Sequence, residues 1–328
     1  MRMNAGAQPR LLPLVRWFGN WPPLRLGFVA TIIVGGLGSL ALPFAQDSME
    51  LYRSGMQLWL AAAVVGYLLC IVLLEIHRSA ADLQPLKLRP GAAVGTTNPF
   101  TLNRHPRALA AATIGGVAFG LLFNIYIGGL AYQMLAGVQP TLAYAWSPFV
   151  LVLLWALVFH AIWILLDNSF LLARIGEHDV RVDLNDPGAL DVFANAGTRH
   201  LLLMVGGLAV FPIQGILGGG LEPLDLLPAV LIIAPVGLFL FAWPVLAVRR
   251  AITRAKRDEL AGIDAALAAE PHLGDRQLLL SLHRRQVAAI PAWPVSLRNL
   301  ARVALYLVIP PLTWVAAAVV DTLVSRSL

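Results

Sequence analysis

Seven apolar stretches, each of roughly 20 residues, alternate with polar segments along the chain, and roughly 20 residues is the length of a membrane-spanning helix. At a rise of about 1.5 Å per residue, each stretch crosses the hydrocarbon core of a bilayer. The predicted spans are residues 26–45, 57–76, 108–130, 148–170, 201–219, 227–248 and 302–321. The pattern therefore predicts an all-α, polytopic membrane protein with about seven transmembrane helices.

Basic residues lie almost entirely in alternate connections between these stretches. Of the 24 Lys and Arg residues, 22 fall in or at the edge of four segments on one side, and only Arg53 and Arg326 fall on the other. Because short basic loops stay in the cytoplasm, the amino terminus is predicted to be cytoplasmic, in a bacterial inner membrane. This asymmetry, together with contact with anionic lipid headgroups, accounts for the net charge of +6, so nucleic-acid binding is not expected.

These boundaries divide the chain into four parts. A basic amino-terminal segment (1–25) precedes a six-helix membrane bundle (26–248), and a cytoplasmic amphipathic helical hairpin (249–301) precedes a seventh helix with its tail (302–328). The basic region before the first stretch is long for a signal peptide, so that stretch is expected to remain as a span. Pro310-Pro311 interrupts the last stretch, which leaves a kinked span and a re-entrant hairpin as alternatives.

Among the first six spans, glycine pairs mark the odd-numbered ones, whereas the even-numbered ones carry bulky aromatic residues. Small residues let helix backbones approach closely in a membrane. Three helical hairpins with their glycine-rich members toward the bundle interior would produce this pattern. Internal repeats also occur in transporter folds, although the paired broken helices of such a substrate site are missing here. The glycine pairs are Gly35-Gly36, Gly115-Gly116 and Gly206-Gly207.

The segment 249–301 shows helical periodicity rather than the composition of a linker. Apolar residues recur at helical spacing before and after a break at Pro271-His-Leu-Gly274, which predicts two antiparallel amphipathic helices. Four arginines on this hairpin are candidate contacts for an acidic protein surface or for lipid phosphates, because guanidinium groups suit both. The alternative is a solvated cap that only neutralises lipid headgroups. The four are Arg254, Arg257, Arg284 and Arg285.

Few polar side chains lie within the predicted spans, and such residues are candidates for function by default. His160 and Asp167 are seven residues apart, hence on one face of span four, and with Asn168 and Asn124 they form a candidate ion or proton path. In the alternative interpretation, His160 donates to a carbonyl on a neighbouring helix and Asp167 pairs with a cytoplasmic Arg or His. Gln214, and Glu75 near a cytoplasmic end, are the other polar residues of these stretches.

Several kinds of chemistry are not supported by the residues present. Cys70 is the sole cysteine, which excludes an intrachain disulfide and a thiolate metal cluster. His77 and His200 lie only at span edges, which disfavours a transmembrane haem with two axial histidines. The acidic loop 177–191 has no EF-hand spacing, and no hydrolase or nucleotide motif occurs. No catalytic residue, metal site or cofactor is therefore expected.

Two motifs in the carboxyl-terminal half resemble those of a family of uncharacterised bacterial multipass membrane proteins. One is Arg181-Val-Asp-Leu184 followed by Pro187-x-x-Leu190-x-x-Phe193. The other is Ala292-Trp-Pro294, followed by the stretch from Leu300 to Tyr306, Leu307-x-Ile-Pro310 and Trp314. No activity is established for that family, so the resemblance implies a shared membrane fold and no particular chemistry.

The sequence thus favours a non-enzymatic membrane accessory or scaffold subunit that binds partners through its spans and cytoplasmic hairpin. The alternative is a channel or proton-coupled transporter that uses the His160 and Asp167 face, and a membrane-embedded enzyme is a third possibility. A dry interface around span four would favour the scaffold, and a wet polar cavity would favour transport. The expected partners are anionic lipid headgroups and either another protein or a second copy of the chain.

Overall fold

Helices make up nearly all of the described part of the protein. The computed structural model describes residues 21–40, 48–83, 86, 105–126, 142–184, 186–208, 223–269, 274–293, 295, 299–306, 308, 312, 316 and 319. Within these ranges there is no β-strand, which confirms the all-α fold class. The helices are α1 (Pro23–Ser39), α2 (Ser48–Asp82), α3 (Pro106–Tyr126), α4 (Leu142–Arg174), α5 (Asp191–Leu208), α6 (Pro223–Ala269) and α7 (Asp275–Ala289).

Four helical segments are long and apolar enough to cross a membrane, and they match predicted spans two, three, four and six. The segments are Leu58–Ser79, Arg107–Ile125, Pro148–Asp179 and Pro235–Ala269. Helix α1 is apolar but has only 17 residues. Much of predicted spans five and seven lies outside the described residues, so the count of seven spans stays a prediction.

Neighbouring helices pack as pairs, α1 with α2, α3 with α4 and α5 with α6, while α4 lies at the centre and contacts both α2 and α6. The expected pairing is therefore present. The expectation that glycine-rich helices lie toward the interior is wrong for α1 and α3, which pack on the outside of α2 and α4. Their glycines still allow close approach, since a Cβ on Gly116 would lie 2.6 Å from the Trp155 carbonyl oxygen.

The two larger apolar clusters of the described residues lie among α2, α4, α5 and α6. The larger one joins α2, α4, α5 and α6 and includes Leu165 and Leu240, both fully buried. The second lies where α2 and α4 end and α5 begins, and Phe193, Ile175 and Ile252 are buried there. Four described arginines, Arg78, Arg174, Arg181 and Arg250, lie at this end of the molecule, which is called the basic end below.

Helix α6 is one continuous helix that includes both predicted span six and the first arm of the predicted hairpin. Helix α7 runs back along its second half, and this pair is called the α6–α7 hairpin. The Lys256 Nζ donates to the carbonyl oxygens of Ala288 at 2.6 Å and Ile290 at 3.0 Å. Ile263 of α6 and Val287 of α7 are both buried. The predicted antiparallel helical hairpin is therefore present.

Candidate functional site

Three polar side chains line one face of α2 at the basic end. Glu75, Ser79 and Asp82 are four and seven residues apart, which places them on the same side of a helix. The Glu75 side chain is fully buried, whereas that of Asp82 is 20% exposed. A buried carboxylate is unfavourable unless it is paired and hydrogen-bonded. Glu75 therefore needs partners from the neighbouring helices.

Helix α5 supplies two of these partners in consecutive residues. Arg199 Nε donates to Glu75 Oε1 at 2.8 Å, and His200 Nε2 lies 3.0 Å from Glu75 Oε2. Arg199 Nη2 also donates to Asp82 Oδ2 at 2.7 Å, so one guanidinium group bridges both carboxylates of α2. This geometry is the charge-assisted pairing that stabilises buried carboxylates.

Helix α4 supplies the remaining polar contacts. Asn168 Nδ2 donates to Glu75 Oε2 at 3.4 Å and to Ser79 Oγ at 3.2 Å, and the Ser79 hydroxyl donates to the Glu75 backbone carbonyl. Ser169 Oγ lies 2.9 Å from His200 Nδ1 and 3.4 Å from the Leu240 carbonyl oxygen of α6. The cluster, called the Glu75 network below, therefore ties α2, α4, α5 and α6 together.

The protonation of this network follows from which atoms can donate. A carboxylate only accepts, so His200 Nε2 carries a proton toward Glu75. The Ser169 hydroxyl has one proton, which it donates either to His200 Nδ1 or to the Leu240 carbonyl oxygen. Arg199 precedes the predicted fifth span. Burial by itself lowers the pKa of Arg199, but Glu75 and Asp82 more than reverse this effect and raise that pKa above its usual value.

Ser169, His200 and Glu75 occur in the order of a nucleophile, a base and an orienting carboxylate. All three residues are fully buried, however, with no exposed side-chain surface. A hydroxyl that no substrate atom can reach cannot act as a nucleophile. The contacts of these residues therefore support a role in holding helices together.

The predicted ion path does not converge on one site. His160 is buried on α4, where its Nδ1 lies 3.0 Å from Thr113 Oγ1 of α3. Asn168 faces α2 instead, in the Glu75 network. Asn124 Nδ2 donates to the carbonyl oxygens of Gly120 at 2.9 Å and Pro148 at 3.2 Å, near the opposite end of α4. Asp167 is partly buried and has a polar interaction of its own.

The arginines of the α6–α7 hairpin divide into two groups. Arg254 Nη2 donates to the Glu177 carbonyl oxygen at 2.8 Å, and Arg284 Nε donates to Asp264 Oδ1 at 2.7 Å. That hydrogen bond and the charge of Asp264 raise the pKa of Arg284 above its usual value. Arg257 and Arg285 are exposed. Two of the four predicted contact residues are thus already engaged within the chain.

From the sequence, Glu75, Asn168 and His200 are each identified as polar residues in or beside a predicted span, but not as neighbours. No role is predicted from the sequence for the other members of the network, Ser79, Asp82, Ser169 and Arg199. The sequence feature that could have pointed to the network is the spacing of Glu75, Ser79 and Asp82, which places them on one face of a helix.

In the described part of the chain, no group of three or more His, Cys, Asp and Glu residues is arranged to hold a metal ion. No family model, curated protein or solved structure matches this chain.

Proposed function

We propose that this protein is a non-enzymatic accessory or scaffold subunit of a bacterial inner membrane, with seven spans and a cytoplasmic amino terminus. Its α6–α7 hairpin is the docking surface for a protein partner. The observation that carries this proposal is an exposed apolar face on α7. Leu278, Leu279 and Leu282 lie on adjacent turns and are 61%, 65% and 47% exposed.

This exposed leucine face lies on a helix of 15 residues that also carries three arginines. Contiguous apolar patches on a solvated surface commonly mark interaction sites. The segment 249–301 carries nine Lys and Arg residues against five Asp and Glu residues, so its field is positive. A partner that presents an apolar patch with an acidic rim would complement this surface.

The contacts within the bundle support a scaffold more than a transport path. Glu75, His200 and Asn168 are hydrogen-bonded to protein atoms, and so are His160 and Asn124. Polar groups that satisfy one another at a dry interface specify helix packing, whereas a transport site presents such groups to a wet cavity. This is why the His160 and Asp167 path is not the function we favour.

Point substitutions on α7 test the docking role better than removal of the hairpin. Ile252 is buried in the second apolar cluster, so deletion from this residue onward would damage the bundle itself. The triple variant Leu278→Gln, Leu279→Gln, Leu282→Gln changes only exposed side chains. A matched control makes three substitutions to glutamine on an exposed face of α6, at Ala261, Ala265 and Ala268.

The measurement is photocrosslinking in native membranes from an unnatural residue at position 285, beside the leucine face. We expect a discrete adduct with one protein in the wild type and in the alanine-face control, and its loss in the leucine variant. Helix content and membrane insertion should be the same in all three proteins. An adduct of wild-type yield in the leucine variant would show that this face does not dock a partner.

A further inference from the structure

A cavity of about 210 Å³ lies between the end of α4 and the middle of α6 at the basic end, outside the Glu75 network. Its lining divides into an aromatic half and a charged half. The aromatic half comes from the last turns of α4 and the middle of α6, and the charged half from the residues that follow toward the basic end. The residues that matter are Phe170, Trp243, Arg174, Glu177, His178 and Arg250.

The aromatic half faces outward from the bundle. The rings of Phe170 and Trp243 meet edge to face with centroids 5.8 Å apart, and Phe239 stacks on Trp243 at 5.1 Å. Phe170 is 46% exposed and Trp243 is 38% exposed, although both lie on helices long and apolar enough to cross a membrane. Aromatic side chains at the end of a span are typical of the depth at which lipid headgroups begin.

The charged half has more positive than negative side chains. Arg174 ends α4 and is exposed, and Arg250 of α6 is 61% exposed. The one carboxylate in the lining is Glu177, whose Oε2 lies 4.0 Å from Arg250 Nη1 and whose Oε1 lies 3.7 Å from Arg254 Nη2. Two arginines thus share one carboxylate, and Arg174 adds a further positive charge at the rim.

A π-helical turn, Ile175–Asp179, builds this rim. The Val180 amide donates to the Ile175 carbonyl oxygen at 3.0 Å, five residues back, so the turn is wider than the α-helix that precedes it. Ile175 and Gly176 are buried against α5 and α6, while Glu177 and His178 lie at the cavity. The turn therefore anchors on the apolar cluster and presents its polar residues to the cavity.

We propose that this cavity binds the phosphate headgroup of an anionic phospholipid. Arg174 and Arg250 hold the phosphate, and the acyl chains run along Phe170 and Trp243. The amphipathic lining favours a lipid over free phosphate, because half of the cavity is apolar and faces sideways from the helices. Basic pockets between spans on the cytoplasmic side bind anionic headgroups in this way. The inference rests on α4 and α6 crossing a membrane and is independent of any partner of the hairpin.

The test compares binding of phosphatidylglycerol and phosphatidylcholine to the full-length protein in detergent micelles, with native mass spectrometry as the readout. The double variant Arg174→Gln, Arg250→Gln should bind phosphatidylglycerol about a hundredfold more weakly, since it removes two charged hydrogen bonds to the phosphate and each contributes about a factor of ten. The matched control Arg257→Gln, Arg285→Gln makes the same change of charge on exposed hairpin residues and should bind like the wild type.

Two further measurements distinguish a bound lipid from a bound free anion. Phosphatidylglycerol with brominated acyl chains should quench fluorescence in the wild type, and Trp243→Phe should remove part of that quenching. Inorganic phosphate at millimolar concentration should not displace the lipid. The double variant Arg174→Lys, Arg250→Lys keeps the charge and should retain most of the affinity, which guards against a folding defect in the glutamine variant.

Three outcomes would overturn the proposal. One is equal affinity of the wild type for both lipids, and another is an equal loss of affinity in the Arg257 and Arg285 control. Displacement of the lipid by inorganic phosphate would show that the site takes the free anion instead.

Discussion

The substitution Glu75→Gln tests whether the Glu75 network holds the bundle together. It keeps the size of a side chain that is fully buried and removes its charge. The amide nitrogen that replaces one carboxylate oxygen is a donor, and it faces donors from Arg199, His200 and Asn168. Arg199 then retains only Asp82 as an anionic partner within the network. The variant therefore leaves the partly buried Arg199 guanidinium group with one of its two carboxylate partners.

The expected loss in the free energy of unfolding is about 2 to 3 kcal/mol. Breaking a buried ion pair by removing one partner costs about 3 to 5 kcal/mol. A smaller cost is expected here, because Asp82 still binds Arg199 at 2.7 Å and the Arg199 side chain is 19% exposed. Asp82→Asn should cost only about 1 kcal/mol, since the Asp82 side chain reaches solvent.

The assay is equilibrium unfolding in mixed micelles of phospholipid and detergent, with the single variants and Arg199→Gln in a double-mutant cycle. In the Arg199→Gln background, Glu75→Gln should cost close to nothing, because the carboxylate that it removes has already lost its guanidinium partner. The coupling energy should then be about 2 to 3 kcal/mol. If Glu75→Gln and Asp82→Asn have equal effects, or if the cycle is additive, the network does not stabilise the fold.

Two further predictions concern the glycines and the spans. Gly116→Ala places a Cβ against the Trp155 carbonyl oxygen and should destabilise the bundle by about 1 to 3 kcal/mol. Gly36→Ala is the control, because its Cβ would face open space, and it should be neutral or slightly stabilising. Both variants are measured in the same unfolding assay. Proton or cation flux in proteoliposomes should be at the level of empty vesicles for the wild type and for Asp167→Asn. If the wild type shows flux and Asp167→Asn abolishes it, the protein is a transporter or channel rather than a scaffold.

The helices could be predicted from the sequence because each apolar run has the length of a span, and because Ile252, Leu260 and Ile263 recur at helical spacing in the first arm of the hairpin. The Glu75 network could not be predicted from the sequence. Its formation depends on which faces of α2, α4 and α5 meet, and the rotation of each helix about its axis is set by packing against the others. The apolar pattern predicts that Arg199 and His200 lie just before a span. In the structure, α5 already begins at Asp191, so these two residues lie in the third turn of that helix.

The continuity of α6 determines how a partner bound at α7 would be held relative to the membrane. A hairpin joined to predicted span six by a loop could swing, but here its first arm continues the helix of that predicted span, with no break between Pro223 and Ala269. Ile252 is buried against Phe193 and Ile175, and Arg254 is bonded to the π-helical turn at Glu177. The leucine face of α7 is therefore fixed in orientation before any partner arrives. A surface ordered in advance binds with a smaller loss of conformational entropy, so a modest apolar area can suffice for docking.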